Sequence, residues 1–166
     1  MVKSGMTVFN TSPLIFLARL DFIKQAIELF ESCCCLPKGV LEEICAKKDQ
    51  AGQLITDLLN KEKLCVREAR LTPLLEKYRR RMGRGETEAI VLAIEIEADF
   101  VILDDGVARK EAEKLGLRVK GTLGIVRKLL IEEKIAIEDM EEFYRTLWAM
   151  NFRIKKSVFD KIMWDI

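Results

Sequence analysis

Short apolar runs that stop at turn residues, each followed by a stretch of helical period, leave this chain few ways to fold. Met6-Thr7-Val8-Phe9 is β-prone and halts at Asn10-Thr11-Ser12-Pro13; Cys33–Leu36 halts at Pro37; Phe100–Leu103 halts at Asp104-Asp105-Gly106. Leu64-Cys65-Val66 and Leu117–Val119 are weaker runs of the same kind. Between them, apolar residues recur at helical spacing, predicting helices over Leu14–Leu20, Phe22–Phe30, Lys38–Lys47, Gln50–Asn60 and Leu71–Met82. Gly83-Arg84-Gly85 breaks the last of these, and further helices are expected over Glu86–Ile96, Val107–Leu115, Thr122–Ile131, Glu138–Met150 and Lys156–Met163. Thr11 or Ser12 is the expected N-cap of the first helix, with Pro13 as its first helical residue. Gly116 is the expected left-handed cap of the Val107–Leu115 helix. Strands this short and this apolar, alternating with helices, predict an α/β fold whose parallel sheet is covered on both faces.

The chain is 166 residues long, which suits one domain over 1–166, and its 49% hydrophobic content supplies a core. It contains no His, which excludes Ser-His-Asp and Cys-His catalysis and His-based zinc sites. Five Cys, three of them consecutive (Cys33–Cys35) and none in a C-x-x-C pair, argue against a disulfide framework or structural zinc and for a buried strand. Met1–Ser12 has no apolar core of a secretory signal, and no uncharged stretch is long enough to span a membrane, so a cytoplasmic protein is expected.

In open parallel sheets ligands bind at the carboxyl ends of strands, and several oxygen-bearing side chains fall there. Asn10, Thr11 and Ser12 follow the first run, Asp104 and Asp105 the fourth, while Glu43 lies one to two turns into the helix after the second run and Glu86 starts the helix after the Gly83–Gly85 break. Converging carboxylates require a cation, protonation or basic neighbours. Oxygen donors without His or Cys select Mg²⁺ or Mn²⁺, the usual ions of phosphodiester hydrolysis. The formal net charge of +1 excludes a globally basic coat, but charge is segregated: Lys61–Gly85 sums to +6 and Glu86–Glu113 to −7. A basic stripe running into an acidic segment suits an anionic substrate.

In order and spacing, four segments together resemble the PIN-domain family. They are Val8-Phe9-Asn10-Thr11-Ser12-Pro13-Leu14-Ile15, Leu36–Ile44 ending in Glu42-Glu43-Ile44, Gly83-Arg84-Gly85-Glu86-Thr87-Glu88-Ala89, and Val101–Asp105 followed by Arg109 and Gly121-Thr122. The double Asp, the Arg and the Gly-Thr pair look most like a prokaryotic PIN-like branch of otherwise unassigned function, related to VapC-type toxins. The resemblance implies a three-layer α/β/α sandwich and Mg²⁺- or Mn²⁺-dependent cleavage of RNA. It assigns Glu43, Glu86, Asp104 and Asp105 as catalytic and metal-holding acids, with either Asp104 or Asp105 as the direct ligand. Asn10, Thr11, Ser12 and Thr122 would support the site, with Asn10 also on the metal. Arg79, Arg80, Arg81, Arg84 and Arg109 are the candidate nucleic-acid contacts.

Asn10 departs from the family, which carries its first acid there; an amide oxygen can coordinate a hard cation but brings no charge. The leading expectation is a metal-dependent ribonuclease, possible partner of an antitoxin in a toxin–antitoxin pair. The alternatives are a catalytically inactive PIN-like module that binds RNA or protein, and a metal-dependent phosphatase using the same acids. The aromatic-rich segment 138–166 either caps the core or forms the surface of a homodimer.

Overall fold

The computed structural model describes residues 5–164, so the first four and last two residues of the expected 1–166 domain lie outside it. In chain order the elements are β1 (Met6–Phe9), α1 (Thr11–Arg19), α2 (Ile23–Leu29), β2 (Cys33–Pro37), α3 (Lys38–Ala46), α4 (Gln50–Asn60), β3 (Cys65–Arg67) and α5 (Thr72–Arg79). They continue as α6 (Arg84–Glu95), β4 (Phe100–Ile102), α7 (Gly106–Lys114), β5 (Val119–Lys120), α8 (Thr122–Ile131), α9 (Met140–Ala149) and α10 (Lys156–Met163).

The strands form one parallel sheet in the order β3-β2-β1-β4-β5. Successive residues of a strand point to opposite faces, and here both faces are dry. Phe9, Cys34, Leu36 and Ile102 join one core with α1–α4 and α8–α10, whereas Val8, Cys35, Val101 and Leu103 join a second with α6 and α7. That split is the physical basis of the α/β/α sandwich, and it explains why the strands read as unbroken apolar runs. Cys34 and Cys35 are buried as expected of a core strand, while Cys33 is exposed at its start.

The chain winds outward from β1 to β2 and β3, then returns to the other side of β1 for β4 and β5. This reversal opens a crevice at the carboxyl ends of β1 and β4. The two ends are tied together, with Phe9 in register with Ile102 and the Asn10 amide donating to the Ile102 carbonyl at 3.1 Å.

Two sequence expectations shift near this crevice. The residue capping α1 is Asn10, not Thr11 or Ser12, and its side chain makes no capping bond; Thr11 is already helical and Pro13 sits in the first turn. Helix α6 begins at Arg84, so Gly85 lies inside its first turn instead of in the break before it. Gly116 takes the expected left-handed conformation, at φ 80°.

The C-terminal aromatics mostly seal the lower core. Phe143 and Phe159 are buried, Phe152 meets Phe16 edge-on at 4.8 Å, and the Tyr144 hydroxyl donates to the Ile154 carbonyl at 2.9 Å. Trp148 and Trp164 remain exposed. Among the described residues no helix is long and apolar enough to cross a membrane.

Candidate active site at the carboxyl ends of β1 and β4

Leaving β1, the chain turns at Asn10, which is only 1% exposed. Its Nδ2 donates to Glu86 Oε1 at 3.4 Å, while its Oδ1, also buried, has no hydrogen-bond partner. One residue on, the Thr11 hydroxyl donates to Glu43 Oε2 at 2.5 Å. Glu43 reaches this point because β2 ends beside β1 and α3 starts directly from it. Ser12 follows in the first turn of α1, half-buried.

Gly85 permits the approach of α6. A Cβ there would stand 2.9 Å from both Asn10 Oδ1 and Glu43 Oε2, closer than side-chain carbons come to such atoms. A side chain at residue 85 would therefore push the Asn10 and Glu43 side-chain ends out of their present places. In the sequence Gly85 is a helix breaker; its close-packing role depends on contacts 42 and 75 residues away.

Asp104 follows β4 on the same rim. Its two oxygens accept from Thr122, Oδ1 from the backbone amide at 2.8 Å and Oδ2 from the hydroxyl at 2.6 Å. Loss of surrounding water pushes its carboxyl above the usual carboxylate range, opposed by the Thr122 hydrogen bonds and by the nearby Arg109 guanidinium. Arg109 is anchored by donating from Nη1 to the Leu103 carbonyl at 3.0 Å. Gly121 leaves room for that guanidinium, since a Cβ there would lie 2.5 Å from Nη1. The neighbouring acid has a different job: Asp105 is exposed, caps α7, and accepts from the Ala108 amide at 2.9 Å.

The structure thus brings Asn10, Thr11, Glu43, Gly85 and Glu86 together, and pairs Asp104 with Thr122 and Arg109 on the adjoining strand end. Among the described residues, no three His, Cys, Asp or Glu side chains cluster closely enough to form a metal site by themselves. The donor set beside Asn10 is two carboxylates and an amide oxygen, hard oxygens suited to Mg²⁺ or Mn²⁺. The orphaned Asn10 Oδ1 fits such an ion, because a buried acceptor without a donor is costly unless something positive meets it.

Three arginines of the basic stripe reach acids of neighbouring helices. Arg84 binds Glu42 at 2.7 Å and Glu88 at 3.5 Å, Arg79 binds Glu88 at 3.8 Å, and Arg81 approaches Glu111 at 4.0 Å; Arg80 is exposed. Glu88 is a buried acid outside the set expected from the sequence. It is 7% exposed, with one carboxylate oxygen lacking a partner, and lines a cavity of about 310 Å³ with Lys38, Glu42, Arg79 and Arg84. Its spacing of four from Arg84 was the available signal.

A five-stranded parallel sheet in this order, with polar and acidic side chains gathered at the carboxyl ends of its central strands, defines an α/β protein of the nuclease-type PIN architecture. The family model described as PIN domain matches residues 6–166, and the chain belongs to that family. Among solved structures it is similar to a PilT N-terminus domain protein from the hyperthermophilic archaeon Sulfolobus solfataricus P2. That likeness has a TM-score of 0.46 and 12% identity, over 72% of this chain and 89% of the other. No curated protein matches the sequence at a significant level.

Proposed function

We propose that this chain is a Mg²⁺- or Mn²⁺-dependent ribonuclease that hydrolyses RNA phosphodiesters. Asn10 Oδ1, Glu43 and Glu86 would hold the ion, with Asp104 facing it from the next strand end. The observation that carries this reading is the unpartnered Asn10 Oδ1, buried against Glu43 and Gly85. When bound, the ion supplies charge neutralisation at the phosphate and acidifies a water for attack. The chain's own residues do the rest. Thr11 fixes the Glu43 carboxylate, the Asn10 amide fixes Glu86, and Thr122 fixes Asp104, so that Glu43 and Glu86 are aimed by neutral donors while Asp104 also has Arg109 nearby. Arg109 presents a guanidinium suited to a phosphate oxygen beside Asp104.

Calorimetric titration with Mn²⁺ tests this, comparing the wild type with Glu43→Gln/Glu86→Gln and with Asp105→Asn. Saturable binding that the double substitution removes and Asp105→Asn spares, together with RNA cleavage that EDTA abolishes, is the expected result. No binding at millimolar Mn²⁺ would refute it. Asn10 favours a second reading, an inactive module that binds RNA or protein, for which RNA affinity would be unaffected by EDTA and no cleavage would occur in Mn²⁺. A role as the toxin of a toxin–antitoxin pair, a homodimeric state and a cytoplasmic location belong to the ribonuclease proposal. An antitoxin would then be expected to lay a basic side chain across the acidic rim.

A further inference from the structure

Next to Asp104, beside the edge strand β5, a groove of about 570 Å³ runs between α8 and the segment 152–162. Its size lies within the range of roughly 300–1,000 Å³ of small-molecule sites. The lining includes two cations, Arg109, bonded to the Leu103 carbonyl, and Lys120, whose Nζ lies 4.5 Å over the Phe100 ring, and three apolar side chains, Phe152, Val158 and Ile162. Asp104 is the only acid on its lining among the described residues, and both its oxygens already accept from Thr122. The floor contains Gly124, a helical glycine over which a Cβ would meet nothing within 4 Å. Glycine costs a helix roughly 0.5–1 kcal/mol relative to alanine, and no close contact at Gly124 requires it; a long side chain at this lining position would take up space in the groove. The 310 Å³ cavity on the α5 side differs in kind: Glu42, Glu68, Glu76 and Glu88 line it, and its arginines are already paired. With Lys38 counted, the lining there carries a formal charge of −1, against +1 for the groove beside β5, so a polyanion is better matched to the β5 side.

We propose that a nucleotide of the RNA, next to the scissile phosphate, lies in this groove, its phosphate at Arg109 and Lys120 and its base against Phe152, Val158 and Ile162. The RNA then leaves the rim past β5 and α10 instead of crossing the Arg79–Arg84 face. This rests on the ribonuclease reading.

The test is fluorescence anisotropy of a labelled 2′-O-methyl RNA decamer in EDTA, so that binding is read without cleavage. The wild type is expected to bind, Gly124→Ala to bind equally, Gly124→Leu to bind at least about tenfold more weakly, and Arg79→Gln/Arg80→Gln to lose less than about twofold. Circular dichroism melting checks that Gly124→Leu stays folded. The proposal is overturned if the wild type does not bind the decamer, if Gly124→Leu binds as the wild type does, or if the arginine pair matters more. It is also overturned if Gly124→Leu dissociates a dimer in sedimentation, which would give the groove to a second copy. Cleavage of unmodified RNA in Mn²⁺ separates the two readings. A wild type that cuts nothing, with Gly124→Leu still weakening the decamer, sinks the nuclease and keeps the groove. Cleavage with equal decamer binding by both proteins does the reverse.

Discussion

Asn10→Asp is the most informative single change, because it converts a donor into a like charge at a fixed place. The wild-type amide donates to Glu86 Oε1 at 3.4 Å. In the variant that hydrogen bond, worth about 1 kcal/mol, becomes a repulsion between two carboxylates. At an effective dielectric of about 20, unit charges near 4 Å repel by about 4 kcal/mol. Protonation of one partner sets a ceiling. Charging a group of pKa about 4.3 with a proton at pH 7 costs 1.36 kcal/mol per unit, about 3.7 kcal/mol in all. A loss of roughly 3 kcal/mol at pH 7 is therefore expected, which lowers the melting temperature by about 6–12 °C at 2–4 °C per kcal/mol for this size. The sign with pH follows: the variant's pair has a folded pKa raised above its unfolded value, so its deficit is full at neutral pH and shrinks as the pH falls toward about 5. Saturating Mn²⁺ should reverse the order, raising the variant's melting temperature more than the wild type's, since the added charge faces the ion. The assay is calorimetric melting at pH 5 and 7, in EDTA and in Mn²⁺. Equal melting temperatures of variant and wild type in EDTA at both pH values would refute the placement of Asn10 against Glu86.

Other expected outcomes follow from single contacts. Thr122→Val removes the hydroxyl from Asp104 Oδ2 and should destabilise by about 1–3 kcal/mol; because the Asp104 pKa is already raised and rises further, the loss should grow with pH in urea titrations at pH 5 and 8. Asp49 caps α4, accepting from the Gly52 amide at 2.9 Å, and that bond first, then Arg19, holds its pKa low. Asp49→Ala should cost about 1 kcal/mol at neutral pH, a difference that closes as the pH falls below about 4 through the folded-state pKa. Cys65 is lowered to about 6, chiefly by donation from the Cys35 thiol directly opposite it and then by Arg67. Iodoacetamide should modify Cys65 with a midpoint near that pH, and Cys35→Ala should move the midpoint upward; an unmoved profile would count against the thiol pair.

The strands and most helices were legible because each is a local pattern: apolar runs ended by turn residues, or apolar residues at helical spacing. What was not legible is non-local. Thr11 and Asn10 meet Glu43 and Glu86 across 32 and 76 residues, and nothing near Asn10 in sequence announces that its side chain will leave the cap position for a glutamate on another helix. The same holds for the basic stripe. Counting residues gives +6 between Lys61 and Gly85, but pairing is decided by α3, α6 and α7, which supply Glu42, Glu88 and Glu111. Asp104 and Asp105 are adjacent in sequence, yet one is held by Thr122 across the rim and the other caps its own helix. A one-residue step around a helix start separates them.

The kind of partner each acid receives divides the molecule into two electrostatic regimes. Glu43, Glu86 and Asp104 are held by a hydroxyl, an amide and a hydroxyl with a backbone N–H. Those neutral donors orient a carboxylate and leave its charge in place at Glu43 and Glu86, whereas Asp104 also has the Arg109 guanidinium nearby. Glu42, Glu88 and Glu111 are held by arginines, which orient and cancel at once. The ion pairs around Glu88 tie α5 to α6 through one of its oxygens, Oε1, and leave the other without a partner. The rim differs around Glu43 and Glu86, where the orphaned Asn10 oxygen marks an acceptor that the fold alone does not satisfy. Such a rim is less stable empty than filled, so divalent cation should raise the melting temperature of the wild type, and Glu43→Gln/Glu86→Gln should erase that rise while melting no lower in EDTA. A double variant that melted lower in EDTA and still responded to Mn²⁺ would place the uncompensated charge elsewhere.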